Sequence, residues 1–395
     1  MDPSGSTIKI ELENSGENDL LVLPMTSLPI SGCWSVPILL SLNPDSPESF
    51  SYVAVVDTGS PFLTAPTPAM SWTTRIVNDK KKGFRQRQQT EKSTISDFSN
   101  EQYGATVGSV EWRMAPSVTL VGTNASIQDR TDIILGIPSP RVQQETGGIF
   151  LGLMGEDESR PTFMQQFGYK SFQMEFSNHH PRLLLSKTST ISTNAEKERN
   201  SLLSMYNLTP FGVNLHHYGV LCQKISLQVQ TNIGSVTDAR KNARYTFDAT
   251  SFSRPLVAVL DTGLSGCIFS DTLWEEVKQK ITHSIHGKPT SLLLDSNLEL
   301  FGCDVELQLD DTSETMTLSS NPEYWRFQSF RLPWWYEQDE SQQFGKEGSV
   351  VNPTNTNSLL LYPHVVVLGS TFWKNNNVQT LCVDTIQRKI RIVLQ

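Results

Sequence analysis

The chain has 395 residues, 37% hydrophobic and 18% charged, an ordinary globular composition that excludes a disordered or membranous chain and leaves room for two similar lobes. A net charge of −9 and a pI near 5.4 argue against a nucleic-acid partner, which needs a basic face. No apolar run reaches the roughly eighteen residues of a membrane span, and the five scattered cysteines (Cys33, Cys222, Cys267, Cys303, Cys382) have no CxxC spacing, so neither a zinc ribbon nor a disulfide framework is read from them.

Along the chain, Met1 to Glu17 is polar and acidic, without the basic and apolar regions of a signal peptide. Short apolar or alternating segments then predict strands over residues 36–42 and 52–56. The polar run 79–92, rich in Lys and Arg with Phe84 as its one aromatic, reads as a solvated loop. Further strands are predicted over 117–121, 219–230, 256–260, 291–294, 365–368 and 390–394. A weak helix is predicted over 161–167, and a stronger one over 271–285, where Leu273, Val277 and Ile281 recur behind Ser270 as N-cap. The sequons at Asn124 and Asn207 permit glycosylation only in a secreted chain. A Thr/Ser/Asn/Glu/Lys-rich stretch, 187–200, reads as a linker or surface hairpin. It suggests an N-terminal extension over 1–30, a first lobe over 31–190 and a second over 191–395. Tyr324, Trp325 and residues 333–335 form an aromatic cluster, read as core or the wall of a binding groove.

Two predicted strands end in nearly the same word: Val53-Ala-Val-Val-Asp57-Thr-Gly59 and Val257-Ala-Val-Leu-Asp261-Thr-Gly263. Each is followed, after a similar interval, by an apolar-Leu-Gly element, Phe150-Leu-Gly152 and Val367-Leu-Gly369. A pseudo-repeat of this kind implies duplicated halves packed about a pseudo-two-fold axis, with equivalent turns face to face. On that axis Asp57 and Asp261 would meet. Two ionised carboxylates about 4 Å apart repel by roughly 4 kcal/mol at an effective dielectric of about 20, so the pair holds one proton over a broad acidic range. Such a pair takes a proton from water while giving one to a carbonyl oxygen, which is general acid–base hydrolysis of an amide. Gly59 and Gly263 let backbone amides approach the carboxylates, Thr58 and Thr262 can bond across the axis, and Ser60 can donate to Asp57. A lone Asp-Thr-Gly would read as a turn; the matched pair does not.

With these motifs the chain resembles the pepsin-like aspartic peptidases over residues 32–395. The others are Gln102-Tyr-Gly-Ala-Thr-Val-Gly-Ser109, Gly148-Ile-Phe-Leu-Gly-Leu153 and Val367-Leu-Gly-Ser370, with closing strands after Cys382. The resemblance implies an all-β, bilobal fold of two pseudo-symmetric six-stranded barrel-like lobes with few short helices and a central cleft. It implies an aspartic endopeptidase that needs no cofactor or metal, acts as a monomer on a peptide or unfolded protein substrate, and places Tyr103 and Gly104 on a flap hairpin over that substrate. It leans towards a secretory, vacuolar or lysosomal site, although no signal peptide is visible. The departures are specific. Leu264 stands where the family has a hydroxyl for the second aspartate, a loss of about 1.5–3 kcal/mol to a charged acceptor that should raise the proton affinity of Asp261. Thr64 stands where a Trp steadies the flap Tyr, Ala105 replaces a small polar flap residue, Pro61 and Phe62 are atypical, and neither a basic pro-segment nor the family's cysteine pairs is evident. These departures keep open the alternative of a weak or inactive peptide-binding protein.

Overall fold

The computed structural model describes residues 19–29, 31–41, 49–65, 98–103, 106–122, 127–146, 149–157, 160–176, 180–189, 202–209, 216–231, 241–286, 298–309, 314–320 and 363–394. The polar run 79–92, the strand expected at 291–294, the aromatic cluster at 324–335, Asn124, Gly104, Ala105 and most of the stretch 187–200 lie outside these residues. Among the described residues the molecule is built of strands with a handful of helices, as expected. The strands join into a 7-stranded and a 13-stranded sheet.

In the first half, strand Ser49–Asp57 lies between antiparallel Trp34–Ser41 and parallel Phe150–Gly152, with Asp57 opposite Gly152. Trp34–Ser41 continues the sheet to Thr106–Val121, which pairs with both Phe98–Tyr103 and Ile127–Pro138. In the second half, Leu256–Leu260 runs parallel to His364–Leu368, with Leu260 opposite Leu368, so Asp261 follows its strand as Asp57 ends its own. Both strands of this second pair are buried throughout, which is why each reads as an unbroken apolar run.

The apolar-Leu-Gly elements are the partners of the Asp-Thr-Gly strands. Each glycine lets the loop after an aspartate pass directly over it. A Cβ on Gly152 would lie 2.4 Å from Phe62 N, and one on Gly369 would lie 2.0 Å from Gly266 O. Between the halves runs a layer of six antiparallel strands in the order Leu20–Pro24, Arg182–Ser186, Ser171–Glu175, Val378–Asp384, Lys389–Leu394, Leu202–Tyr206. The longest helix, Asp271–His286, buries Leu273, Val277 and Ile281, and Ser270 Oγ accepts from Leu273 N at 3.3 Å as its cap. The shorter helix expected at 161–167 begins at Phe163, where Thr162 and Gln165 form a capping box.

Candidate active site

The two Asp-Thr-Gly turns interlock. Thr58 Oγ1 donates to Leu260 O at 2.9 Å and accepts from Thr262 N at 3.0 Å; Thr262 Oγ1 donates to Val56 O at 2.7 Å and accepts from Thr58 N at 3.2 Å. Both threonines are fully buried, so four hydrogen bonds across the pseudo-axis satisfy groups that water cannot reach. This reciprocity requires two hydroxyls of the same reach at equivalent positions, which the repeated Thr provides.

The interlock brings the carboxyls together. A Cβ on Gly59 would lie 2.6 Å from Asp261 Cγ, and one on Gly263 would lie 2.5 Å from Asp57 Cγ. Each aspartate therefore rests against the glycine of the opposite turn, which sets the two carboxyl groups side by side. Asp57 is 7% exposed and Asp261 is partly buried. Asp57 Oδ1 accepts from Gly59 N at 2.8 Å; Asp261 Oδ1 accepts from Gly263 N at 2.9 Å and from Leu264 N at 3.1 Å.

Electrostatically the two are not alike. Burial raises both above the usual carboxylate range. Asp57 is pushed furthest, because the charge of Asp261 also opposes its ionisation. The Gly263 and Leu264 amides act against burial at Asp261. The pair therefore favours holding one proton between its two carboxyls, leaning towards Asp57.

The residues around the pair are arranged as follows. Ser60 Oγ accepts from Phe62 N at 3.5 Å, and no side-chain hydroxyl among the described residues reaches either aspartate. At the second turn the main chain of Leu264 supplies a donor where a hydroxyl was missed from the sequence. Thr64 is fully buried, and its Oγ1 accepts from Phe150 N at 3.0 Å. Tyr103 is the last residue of strand Phe98–Tyr103 and pairs with Thr106.

Three neighbours escaped the sequence reading. Cys33 Sγ lies 3.4 Å from Gly263 O and 3.9 Å from Ser265 Oγ, and burial pushes its thiol up. Loss of hydration and the adjacent His216 push His217 down to about 4, against a hydrogen bond with the Gly59 backbone. Trp112, on the second hairpin strand, packs edge-on against Phe62 at 4.6 Å, with the Arg160 guanidinium 4.3 Å over its ring. Each belongs to a segment distant in sequence from the motif it touches, so spacing carries no signal of it. Among the described residues no group of three or more His, Cys, Asp or Glu is placed to hold a metal ion, and no helix is long and apolar enough to cross a membrane.

No protein-family model matches the sequence, and no curated protein matches it. Solved structures do match. The crystal structure of basic 7S globulin from soybean superposes with a TM-score of 0.50 over 95% of this chain and 94% of that one, at 10% identity. The crystal structure of EDGP gives 0.50 over 97% and 96%, at 11% identity. At such identities the likeness shows the fold alone, which is the pepsin-like fold.

Proposed function

We propose that this protein is an aspartic endopeptidase in which Asp57 and Asp261 activate water between them. The observation that carries the reading is the pair of carboxyl groups set side by side at the centre of the threonine interlock. Asp261, ionised and held by the Gly263 and Leu264 amides, is the group that takes a proton from water. Asp57, protonated, is the group that donates to the scissile carbonyl oxygen. The resulting gem-diol collapses once a proton reaches the amine, and the pair returns to its single-proton state. The hairpin ending at Tyr103 offers backbone groups to an extended peptide.

Cleavage of a denatured protein between about pH 3 and 6 tests this, with both limbs reporting the coupled pair. Asp57→Asn and Asp261→Asn should each lower the rate by at least about 10³-fold, since each removes one of two proton-transfer roles. Wild-type-like turnover in either variant would sink the proposal.

A second reading, a peptide-binding protein with little or no turnover, is favoured by one feature: neither aspartate receives a side-chain hydroxyl among the described residues. The matching solved structures show only the fold, which both readings share. Tight peptide binding that survives Asp261→Ala, with no cleavage by the wild type, would establish that reading over the first.

A further inference from the structure

One residue touches the supports of both Asp-Thr-Gly turns. Tyr218 directly precedes strand Gly219–Thr231 and is 3% exposed. Its carbonyl oxygen accepts from Leu260 N at 3.0 Å, one residue before Asp261. Its hydroxyl crosses to the other turn and donates to Leu153 O at 2.7 Å. Its ring centroid lies 5.8 Å from that of Phe172, on strand Ser171–Glu175 of the six-stranded layer.

Leu153 passes this anchorage on. Leu153 N donates to Asp57 O at 2.8 Å, and Met154 N donates to Ser60 O at 3.0 Å. The Leu153–Met154 segment therefore holds the first turn at both ends. Leu153 O belongs to the same planar peptide unit as Met154 N, so the Tyr218 hydroxyl bonds one side of the peptide that holds Ser60 on the other. Leu153 is fully buried, and water does not reach it to stand in for the phenol. Burial pushes the phenol up, so it remains a donor throughout the acidic and neutral range. A Phe would fill the same space beside Phe172, so packing alone does not call for the hydroxyl.

We propose that Tyr218 is a positioning residue for the dyad, whose hydroxyl fixes the first turn, and with it the Asp57 carboxyl, at its short distance from Asp261. It acts through Leu153 and Met154. Its effect on turnover rests on the peptidase reading above, whereas its effect on the carboxyls does not. Without the hydroxyl, Leu153 O loses its donor, the segment shifts, and the carboxyls draw apart. Repulsion between them falls with distance, so the pair titrates over a narrower span, with the upper apparent pKa moving down. Drawing two carboxylates from about 4 to about 5 Å apart changes that span by roughly half a unit.

The test compares the full-length wild type with Tyr218→Phe. Aspartate carboxyl carbons are labelled with ¹³C, assigned through Asp57→Asn and Asp261→Asn, and titrated by NMR. The other titratable side chains placed near the turns are Cys33, 3.4 Å from Gly263 O, and His217, next to Tyr218 in sequence; neither has a carboxyl to confuse the signal. The expected result is a span narrower by about half a unit in Tyr218→Phe. In cleavage assays kcat should fall about 10-fold or more with KM unchanged, and the upper limb of the pH profile should move down. Ile281→Val, a core change on helix Asp271–His286, should leave the span and the pH profile as in the wild type. An unchanged span in folded Tyr218→Phe, or the same narrowing in Ile281→Val, overturns the proposal. A wild type that titrates as a split pair yet cleaves nothing defeats the peptidase reading alone, and Tyr218 is then judged on the narrowing. If Tyr218→Phe does not fold, hydrogen exchange in the wild type decides. The Leu153 and Met154 amides should be as protected as those of Leu260 and Asp261, and exchange about 100-fold faster overturns the proposal.

Discussion

Asp57 is a carboxyl group that the fold prefers to keep protonated. Its folded-state pKa is raised, so its stabilising contribution is complete below the unfolded carboxylate range and is lost as pH rises through the folded value. Asp57→Asn keeps the shape of the side chain beside Asp261 but cannot ionise. The variant should therefore unfold at a higher temperature than the wild type at neutral pH, with the gap closing below about pH 4. Equal melting curves across that range would contradict the assignment of the proton. The threonines behave differently, because their role does not titrate. Thr58→Val leaves Leu260 O and Thr262 N without their buried partner, at about 1–3 kcal/mol for each group. Urea unfolding should show a loss of roughly 2–5 kcal/mol, larger than for an ordinary buried Thr→Val change. The residue scale is also where the sequence was most legible. Repeated Asp, Thr and Gly each have a chemical reason to occur twice. What could not be read there is which atoms support each carboxylate, because the Leu264 donor is a backbone amide that every residue except proline carries.

At the scale of elements, the parallel pairs Ser49–Asp57 with Phe150–Gly152 and Leu256–Leu260 with His364–Leu368 fix where the turns stand. Gly369→Ala would drive a methyl group into Gly266 O, where the clash is with backbone and no rotamer relieves it. A loss above about 4 kcal/mol, or failure to fold, is expected for it. Gly168→Ala makes a useful contrast: there a Cβ meets nothing within 4 Å, and only the left-handed φ of 77° opposes it, at about 1–2 kcal/mol. Comparable losses in the two variants, measured by denaturant midpoint at constant m, would refute the close-approach argument. Strands around the motifs were foreseen because they are apolar on both faces. Those missed, such as Lys241–Asp248 and Ile127–Pro138, carry polar residues through much of their length. Their β structure comes from the long partners they lie against, Gly219–Thr231 and Thr106–Val121, not from a hydrophobic period of their own. The segment foreseen at 117–121 is only the end of the 16-residue strand Thr106–Val121, whose earlier residues are more mixed in polarity.

For the whole molecule, the decisive element is the six-stranded layer in which chain segments from the first half, the middle and the C-terminus alternate. Ser171–Glu175 and Val378–Asp384 are bonded neighbours although about half the chain separates them. Neither half completes this layer alone, so the halves should unfold together. Trp112 in the first half and Trp274 in the second, isolated as fluorescent reporters, should give coincident urea midpoints, and removal of Lys389–Leu394 should abolish both transitions. Separate midpoints would show that the halves are thermodynamically independent. No single segment announces this layer, since its strands are short, ordinary and paired across long distances, and pairing at such range leaves no local pattern to read.

The same layer bears on the order of events at the ribosome. Its last two strands, Val378–Asp384 and Lys389–Leu394, occupy the end of the described chain, and they lie in the middle of the sheet, not at its edge. Until they emerge, the strands that flank them have no partners on that side, and the two Asp-Thr-Gly turns are not held against each other. A nascent chain therefore carries both aspartates long before it carries a dyad. The meeting of the two turns thus waits on the last strands of the layer.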